Sequence, residues 1–306
     1  MKLRWTSVAW SVVYLLLLLS LATPLTVITI FFLIVPVILL YATLSTRAFL
    51  LHIAAVWLAA SLIFGPVILL QALYFIIPAI VMGYFYKKRS PAFRTVMAGA
   101  ATILLEFLLI LLVSTVFFKF NLTTAIEDMV NTALAPLQDA ADSSLAGGVV
   151  WSPEMSAQFS SLTVRMIPFT MVVCGLLIAT VAHAISRPTL SSLGLAVPKL
   201  APIREWRLPR SLIWYYLIGL LLQLFGGEAA QQGFMGTILL NLMPLLQFFF
   251  MVQTASFFFF AAYHRKWNPV IPILLIVVML FIPPLRIVGI LDIAFPLRDM
   301  ITRSRR

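Results

Sequence analysis

Apolar runs of roughly 17 to 25 residues, separated by short charged or Pro-containing breaks, recur along this 306-residue chain. A helix of that length crosses about 30 Å of hydrocarbon. The composition agrees: 62% of the residues are hydrophobic and 10% are charged, where a soluble domain carries about 25% charged residues. The expected fold class is therefore all-α, a polytopic helical membrane protein with about 8–10 transmembrane helices. No stretch resembles a large soluble catalytic domain, and no enzymatic activity is expected.

The runs place spans near 6–22, 25–44, 48–64, 66–86, 93–118, 161–184, 211–226 and 235–262. Residues 23–24, "TP", and 65–66, "GP", are compact breaks, because proline cannot donate a backbone hydrogen bond and disfavours helix in the residue before it. Residues 269–297 read as two short helices hinged at Pro283 and Pro284. The first 22 residues imitate a signal peptide, but a second apolar run follows at once, so they are taken as an uncleaved first span.

Orientation follows from Lys and Arg in the short loops. With the N-terminus inside, Lys2, Arg4, Arg47, Lys87, Lys88, Arg89, Arg94, Arg187, Lys199, Arg204, Arg207, Arg210, Arg265, Lys266, Arg298 and the terminal arginines are all cytoplasmic. Only Lys119, Arg165 and Arg286 fall outside, with most of the acidic residues. The expectation is N-in, C-in. The net charge of +11 lies in these short connections and not on one folded face, so no nucleic acid is implied. The partner it implies is a bilayer with anionic headgroups.

Three regions result: a five-helix membrane region over 1–118, an extracytoplasmic amphipathic helical insert over 119–160, and a C-terminal membrane region over 161–306 with a long cytoplasmic loop at 185–210. In the insert, Ile126, Met129, Val130, Ala133, Leu134 and Leu137 form an apolar stripe at helical spacing.

The chain has no phosphate-binding loop of the G-x-x-x-x-G-K-[ST] type, so it cannot itself be the ATPase of a transporter. With one cysteine, Cys174, it has neither an internal disulfide nor a cysteine metal cluster, and no metal or cofactor is expected. The histidines His52, His183 and His264 are read as interfacial. Glu106, near the centre of the 93–118 span, is different. An ionised carboxylate in hydrocarbon costs at least about 2.5 kcal/mol, so Glu106 must face protein or water or stay protonated. Two readings compete: a proton, cation or ligand site with Gln71 and Tyr74, or a hydrogen bond to an amide such as Gln71, Gln223, Asn241 or Gln247. Asp292 is read as a structural polar residue paired with Arg286 or with a neighbouring span. Small residues at Ala54, Ala55, Ala59 and Ala60, and at Ala98, Gly99, Ala100 and Ala101, permit close helix packing, within the chain or to a partner.

The segments "LIVPVILLYATLSTRAFLL", "GPVILLQALYFIIPAIVMGYFYKKRS", "REWRLPRSLIWYYLIGLLL" and "GILDIAFPLRD" together resemble the YybS-like family of predicted bacterial membrane proteins. The resemblance implies a bacterial cell membrane. It also marks two recurrent elements, W-R-L-P at Trp206–Pro209 and G-x-x-D at Gly289–Asp292. The N-terminal half is in turn similar in pattern to the S-components of energy-coupling factor transporters and to the rod-shape protein MreD. S-components engage their coupling subunit through small residues on the first helix. Here Ser7 and Ser11 are four apart, but Trp10 and Tyr14 crowd them and there is no alanine pair.

Three functions follow from this reading. The first is a membrane-embedded binding or transport-related subunit without its own ATPase, with a small-molecule ligand and a partner protein. The second is a non-transporting scaffold that recruits envelope or signalling proteins through its cytoplasmic loops. The third is an ion-coupled carrier using Glu106. The stretch "PIREWRLPRS", 202–211, matters to the first two. Arg204, Arg207 and Arg210 recur every three residues, each worth about 1 kcal/mol beside anionic headgroups. Glu205 can bridge to one of them, and Trp206 suits the headgroup belt. The competing readings are a positive-inside anchor or a docking surface for a protein partner.

Overall fold

The computed structural model describes residues 5–142, 153–230 and 233–303; Lys2, Arg4, Arg305 and Arg306 lie outside the described residues. Its elements are helical: α1 Trp5–Ser20, α2 Thr26–Thr29, α3 Ile34–Thr43, α4 Thr46–Phe64, α5 Ile68–Lys87, α6 Ala92–Phe118, α7 Leu122–Asp142, α8 Pro153–Ser192, α9 Ser211–Phe225, α10 Gly233–Arg265, α11 Val270–Phe281, α12 Ile287–Ala294 and α13 Leu297–Arg303. Among the described residues six stretches are long and apolar enough to cross a membrane: Thr26–Thr43, Thr46–Phe64, Ile68–Lys87, Ala92–Phe118, Glu154–Ser192 and Gly233–Arg265. Shorter apolar helices are α1, α9 and α11. Large side chains such as Leu62, Phe118 and Phe225 stand exposed on these helices. In an all-helical chain of this composition such surface faces lipid.

The chain divides into two compact units, one of residues 1–121 and 170–200, the other of 122–169 and 201–306. In the first, α3 is the central element, with Ile34 to Leu40 all buried. It packs on α1 and α5, while α5 also packs on α6 and α1 on α4. Ser11 on α1 lies 2.8 Å from His52 Nδ1 on α4, and Trp57 Nε1 donates to the buried Tyr14 hydroxyl at 3.2 Å. The face of α1 that carries Ser7, Ser11 and Tyr14 is therefore turned to a helix of the same chain. The second stretch of small residues is also used internally, since Gly99 lies against Ala179 of α8 and Gly175 against the Ala100 carbonyl. Residues 170–200 thus belong to the first unit, although by sequence they fall in the C-terminal membrane region over 161–306.

In the second unit, α8 carries Pro168 in mid-helix, which removes a backbone donor and opens the hydrogen-bond ladder. Asn241 of α10 fills the gap: its Oδ1 accepts from the Phe169 amide at 2.9 Å and its Nδ2 donates to the Arg165 carbonyl at 2.7 Å. Asn241 is therefore not a partner of Glu106. Asn241→Leu leaves both backbone groups unsatisfied in an apolar setting, a loss of about 1–3 kcal/mol. Thermal unfolding in detergent should register it, and a shift no larger than that of Thr237→Ala would contradict the assignment. Within residues 119–160, Leu122–Asp142 form α7, and Ser156 Oγ near the start of α8 donates to Asn131 Oδ1 at 2.5 Å.

Helix α8 continues to Ser192, so the irregular part of the 185–210 connection begins only at 193. After α10 the chain breaks at Pro283 and Pro284, as its sequence indicates. Helices α11 and α12 have 12 and 8 residues, about 18 and 12 Å at 1.5 Å per residue, and neither reaches across about 30 Å. The Arg286 carbonyl accepts from Thr254 Oγ1, Gly289 lies against Phe250 and Thr254, Ile293 clusters with Leu246 and Phe250, and Arg298 returns to Ser256 and Phe260. These partners on α10 run from Leu246 to Phe260.

Candidate functional site

The loop from Pro202 to Arg210 gathers buried polar partners from α10 and α13 of the second unit. A single 3-10 turn, Ile203–Glu205, is followed by extended backbone at Trp206, whose Nε1 donates to the Ala201 carbonyl at 2.8 Å. Such a stretch has few hydrogen bonds of its own, so its carbonyls and amides need external partners. The Trp206 carbonyl accepts from Ser256 Oγ at 2.8 Å, and the Leu208 amide donates to Gln253 Oε1 at 2.9 Å. Gln253 and Ser256 are buried on α10, three residues apart and hence on one helix face.

The remaining partner is Arg298 of α13, which is only 4% exposed. Its Nη1 donates to the Arg204 carbonyl at 2.8 Å, and its Nη2 to the Trp206 carbonyl at 3.1 Å and to Ser256 Oγ at 3.0 Å. A guanidinium so buried requires a counter-charge. Asp292 supplies it, with Nη2 to Oδ2 at 2.7 Å and Nε to Oδ1 at 3.1 Å. Gln253 Nε2 donates to the same carboxylate at 2.6 Å, closing a network from loop to α10 to α12 to α13. The forked geometry suits Arg and not Lys. Asp292 is thus a structural ion-pair residue, but its partner is Arg298 and not Arg286. Arg286 donates to Gln247 Oε1 at 3.2 Å instead, and its buried Nε has no hydrogen-bond partner among the described residues.

With its backbone held from behind, the loop turns its charged side chains outward. Arg204 stacks 4.0 Å above the Tyr263 ring and pairs with Glu205 at 3.8 Å. A cavity of about 340 Å³ is lined by Arg204, Glu205, Arg207, Phe260, Tyr263, His264 and Arg298. A second, of about 560 Å³, shares Arg204 and Tyr263 with the first and is otherwise mostly apolar, with Pro202, Ile203, Phe259, Ala262, Trp267 and Pro272 in its lining. Arg210 lines a smaller cavity of about 120 Å³ with Asp292 and Asp299. The three arginines of the loop are divided between two cavities: Arg204 lines the first, Arg210 the smallest, and Arg207 both.

The two elements Trp206–Pro209 and Gly289–Asp292 meet here, 80 or more residues apart in sequence. The description "Predicted membrane protein (DUF2232)" matches residues 11–293, which takes in both elements and nearly all of the chain. The chain belongs to the DUF2232 family. Within reach of that family stands "Uncharacterized protein YybS" of Bacillus subtilis (strain 168), to which the chain is 25% identical over 228 residues, 72% of each chain. No solved structure matches it. The family match covers every residue of the network except Arg298.

The other predicted constellation lies in the first unit. Glu106 on α6 is 8% exposed and neither carboxyl oxygen has a hydrogen-bond partner among the described residues. Tyr74 is its electrostatic neighbour, with the hydroxyl donating to the Ile103 carbonyl at 3.2 Å, and Cys174 is close to the same ring. Gln71 is exposed and does not join them; Gln223 is exposed and Gln247 is taken by Arg286. The amide partner expected for Glu106 is therefore not among those four.

Arg298, Gln253 and Ser256 were not singled out in the sequence. Arg298 reads there as one more basic residue of a terminal tail, and Gln253 and Ser256 as isolated polar groups inside an apolar run. The signal available was the unusual pairing of a carboxylate at 292 with an arginine just past the Phe295–Pro296 break.

Proposed function

We propose that this DUF2232 protein is a non-enzymatic, membrane-embedded binding subunit of a bacterial cell membrane that acts through other molecules, with the 202–210 loop as its contact surface. The observation that carries this reading is the division of labour in the loop. Its backbone is fixed by buried Arg298, Gln253 and Ser256, while Arg204 and Arg207 line an open cavity. A loop that served only as a positive-inside anchor has no need of a buried ion pair, whose desolvation is costly. The basic loop is cytoplasmic in an N-in, C-in arrangement. The scaffold reading gains more from this than the transport reading, because the Ser7–Ser11 face of α1 is occupied by α4 and is not free to engage a coupling subunit in the S-component manner.

A photo-crosslinking residue at Arg207 in living cells tests the proposal, with one at exposed Phe225 as control. Position 207 should give the same partner in repeated experiments, and Arg298→Ala should weaken that product at least tenfold. Background alone at 207, or equal products at 207 and 225, would sink it.

A second reading rests on Glu106. A buried carboxyl without a hydrogen-bond partner beside Tyr74 supports a site that takes up a proton or cation. Glu106→Gln then abolishes a pH-gradient-dependent phenotype while leaving the protein's abundance intact. An unchanged phenotype disposes of the carrier reading and leaves the loop untouched.

A further inference from the structure

We propose that the paired cavities beside the loop hold one anionic phospholipid, its phosphate at Arg204 and Arg207 and an acyl chain in the adjoining apolar cavity. The assignment rests on the reading of the loop as the contact surface, and names what that surface takes first. Two observations carry it.

The first is charge. Arg298 is neutralised by Asp292 and spends its donors on the loop carbonyls, and Arg204 has only the half-exposed Glu205 for an ion pair. Arg207 has no ion pair among the described residues, although Asp292 and Asp299 line the smallest cavity with it, and Lys266 lines the adjoining apolar cavity. An excess positive charge with free guanidinium donors is the chemistry that takes a phosphate.

The second is the apolar cavity. At about 560 Å³ it is larger than the charged one and adjoins it, with Arg204 and Tyr263 in the lining of both. An acidic peptide or a free phosphate ester fills the charged cavity and makes no use of the apolar lining of Phe259 and Ile203. An amphiphile fills both. Trp267 in its lining is the residue type that marks headgroup depth, and basic pockets between membrane helices recognise anionic headgroups on the same grounds.

The test uses the full chain, delipidated in detergent and titrated with phosphatidylglycerol, phosphatidylcholine and glycerol 3-phosphate under native mass spectrometry. The wild type should bind one phosphatidylglycerol at least tenfold more tightly than phosphatidylcholine. The double variant Arg204→Ala/Arg207→Ala should lose that preference while keeping its thermal unfolding midpoint, and Arg207→Glu alone should lose most of it. Ile203→Trp, which fills the apolar cavity, should weaken the lipid at least fivefold and leave glycerol 3-phosphate unaffected. Equal binding of the two lipids, or a preference that survives the double variant, overturns the proposal. Glycerol 3-phosphate binding as tightly as phosphatidylglycerol overturns it in favour of a soluble phosphate ester, and a polyglutamate peptide that outcompetes the lipid overturns it in favour of an acidic protein segment. Loss of the lipid preference with the Arg207 crosslink retained refutes the lipid alone; loss of the crosslink with lipid binding retained refutes the protein partner alone.

Discussion

Arg298→Ala should lower the stability of the second unit by about 3–5 kcal/mol, the usual result of leaving a buried charge without its partner. The charge left behind is Asp292, whose side chain has no exposure at all. The same substitution removes the guanidinium donors to the Arg204 and Trp206 carbonyls, so the loop loses two of its fastenings at once. Trypsin reports this directly, because Arg204, Arg207 and Arg210 are its own cleavage sites: digestion at the loop should accelerate at least tenfold relative to wild type. Asp292→Leu/Arg298→Met removes both charges and should recover most of the thermal stability, since apolar replacements of a buried pair are often neutral. It should not restore protease resistance, because Met cannot donate to the loop carbonyls. A single variant within 1 kcal/mol of wild type, or a double variant as unstable as the single, contradicts the network.

Gly289→Ala should be as damaging for a steric reason. A Cβ at 289 would run into the Phe250 carbonyl oxygen and the Thr254 amide and hydroxyl. The obstacle is the backbone of α10, which cannot step aside as a side-chain tip can. The cost should lie at or above the upper end of the roughly 1–3 kcal/mol range for overpacking. Since α12 carries Asp292, its displacement should also loosen the loop, and trypsin sensitivity should rise in parallel. Gly219→Ala is the control, because there the added methyl meets chiefly the flexible Met243 side chain. Equal effects of the two substitutions would show that the approach of α12 to α10 is not the reason for glycine at 289.

The helices were legible because they depend on a property each segment carries by itself. Runs such as 48–64 and 66–86, and the break at Pro283–Pro284, announce themselves through local apolar length and missing donors. Arg204 and Trp206 stood out for the same reason, as polar residues in an apolar text. The network was not legible, because each member acquires its meaning from a residue in another helix. Asn241 has the composition of a partner for Glu106, yet it repairs the ladder at Pro168. Asp292 has a basic residue six positions before and another six after it; the Phe295–Pro296 break after α12 brings the second, Arg298, back onto the carboxylate. Such choices are settled by how helices pack, and periodicity does not encode them.

The clamp on the loop also has a place in time. Arg298 lies 92 residues downstream of Trp206, so at about 5–20 residues per second the ribosome needs roughly 5–20 s to deliver it after the loop has been made. During that interval the loop has no more than its bonds to Gln253 and Ser256 of α10. The clamp is thus a late event of synthesis: a chain that stops short of Arg298 leaves the Arg204 carbonyl without its guanidinium donor and Asp292 without its counter-charge.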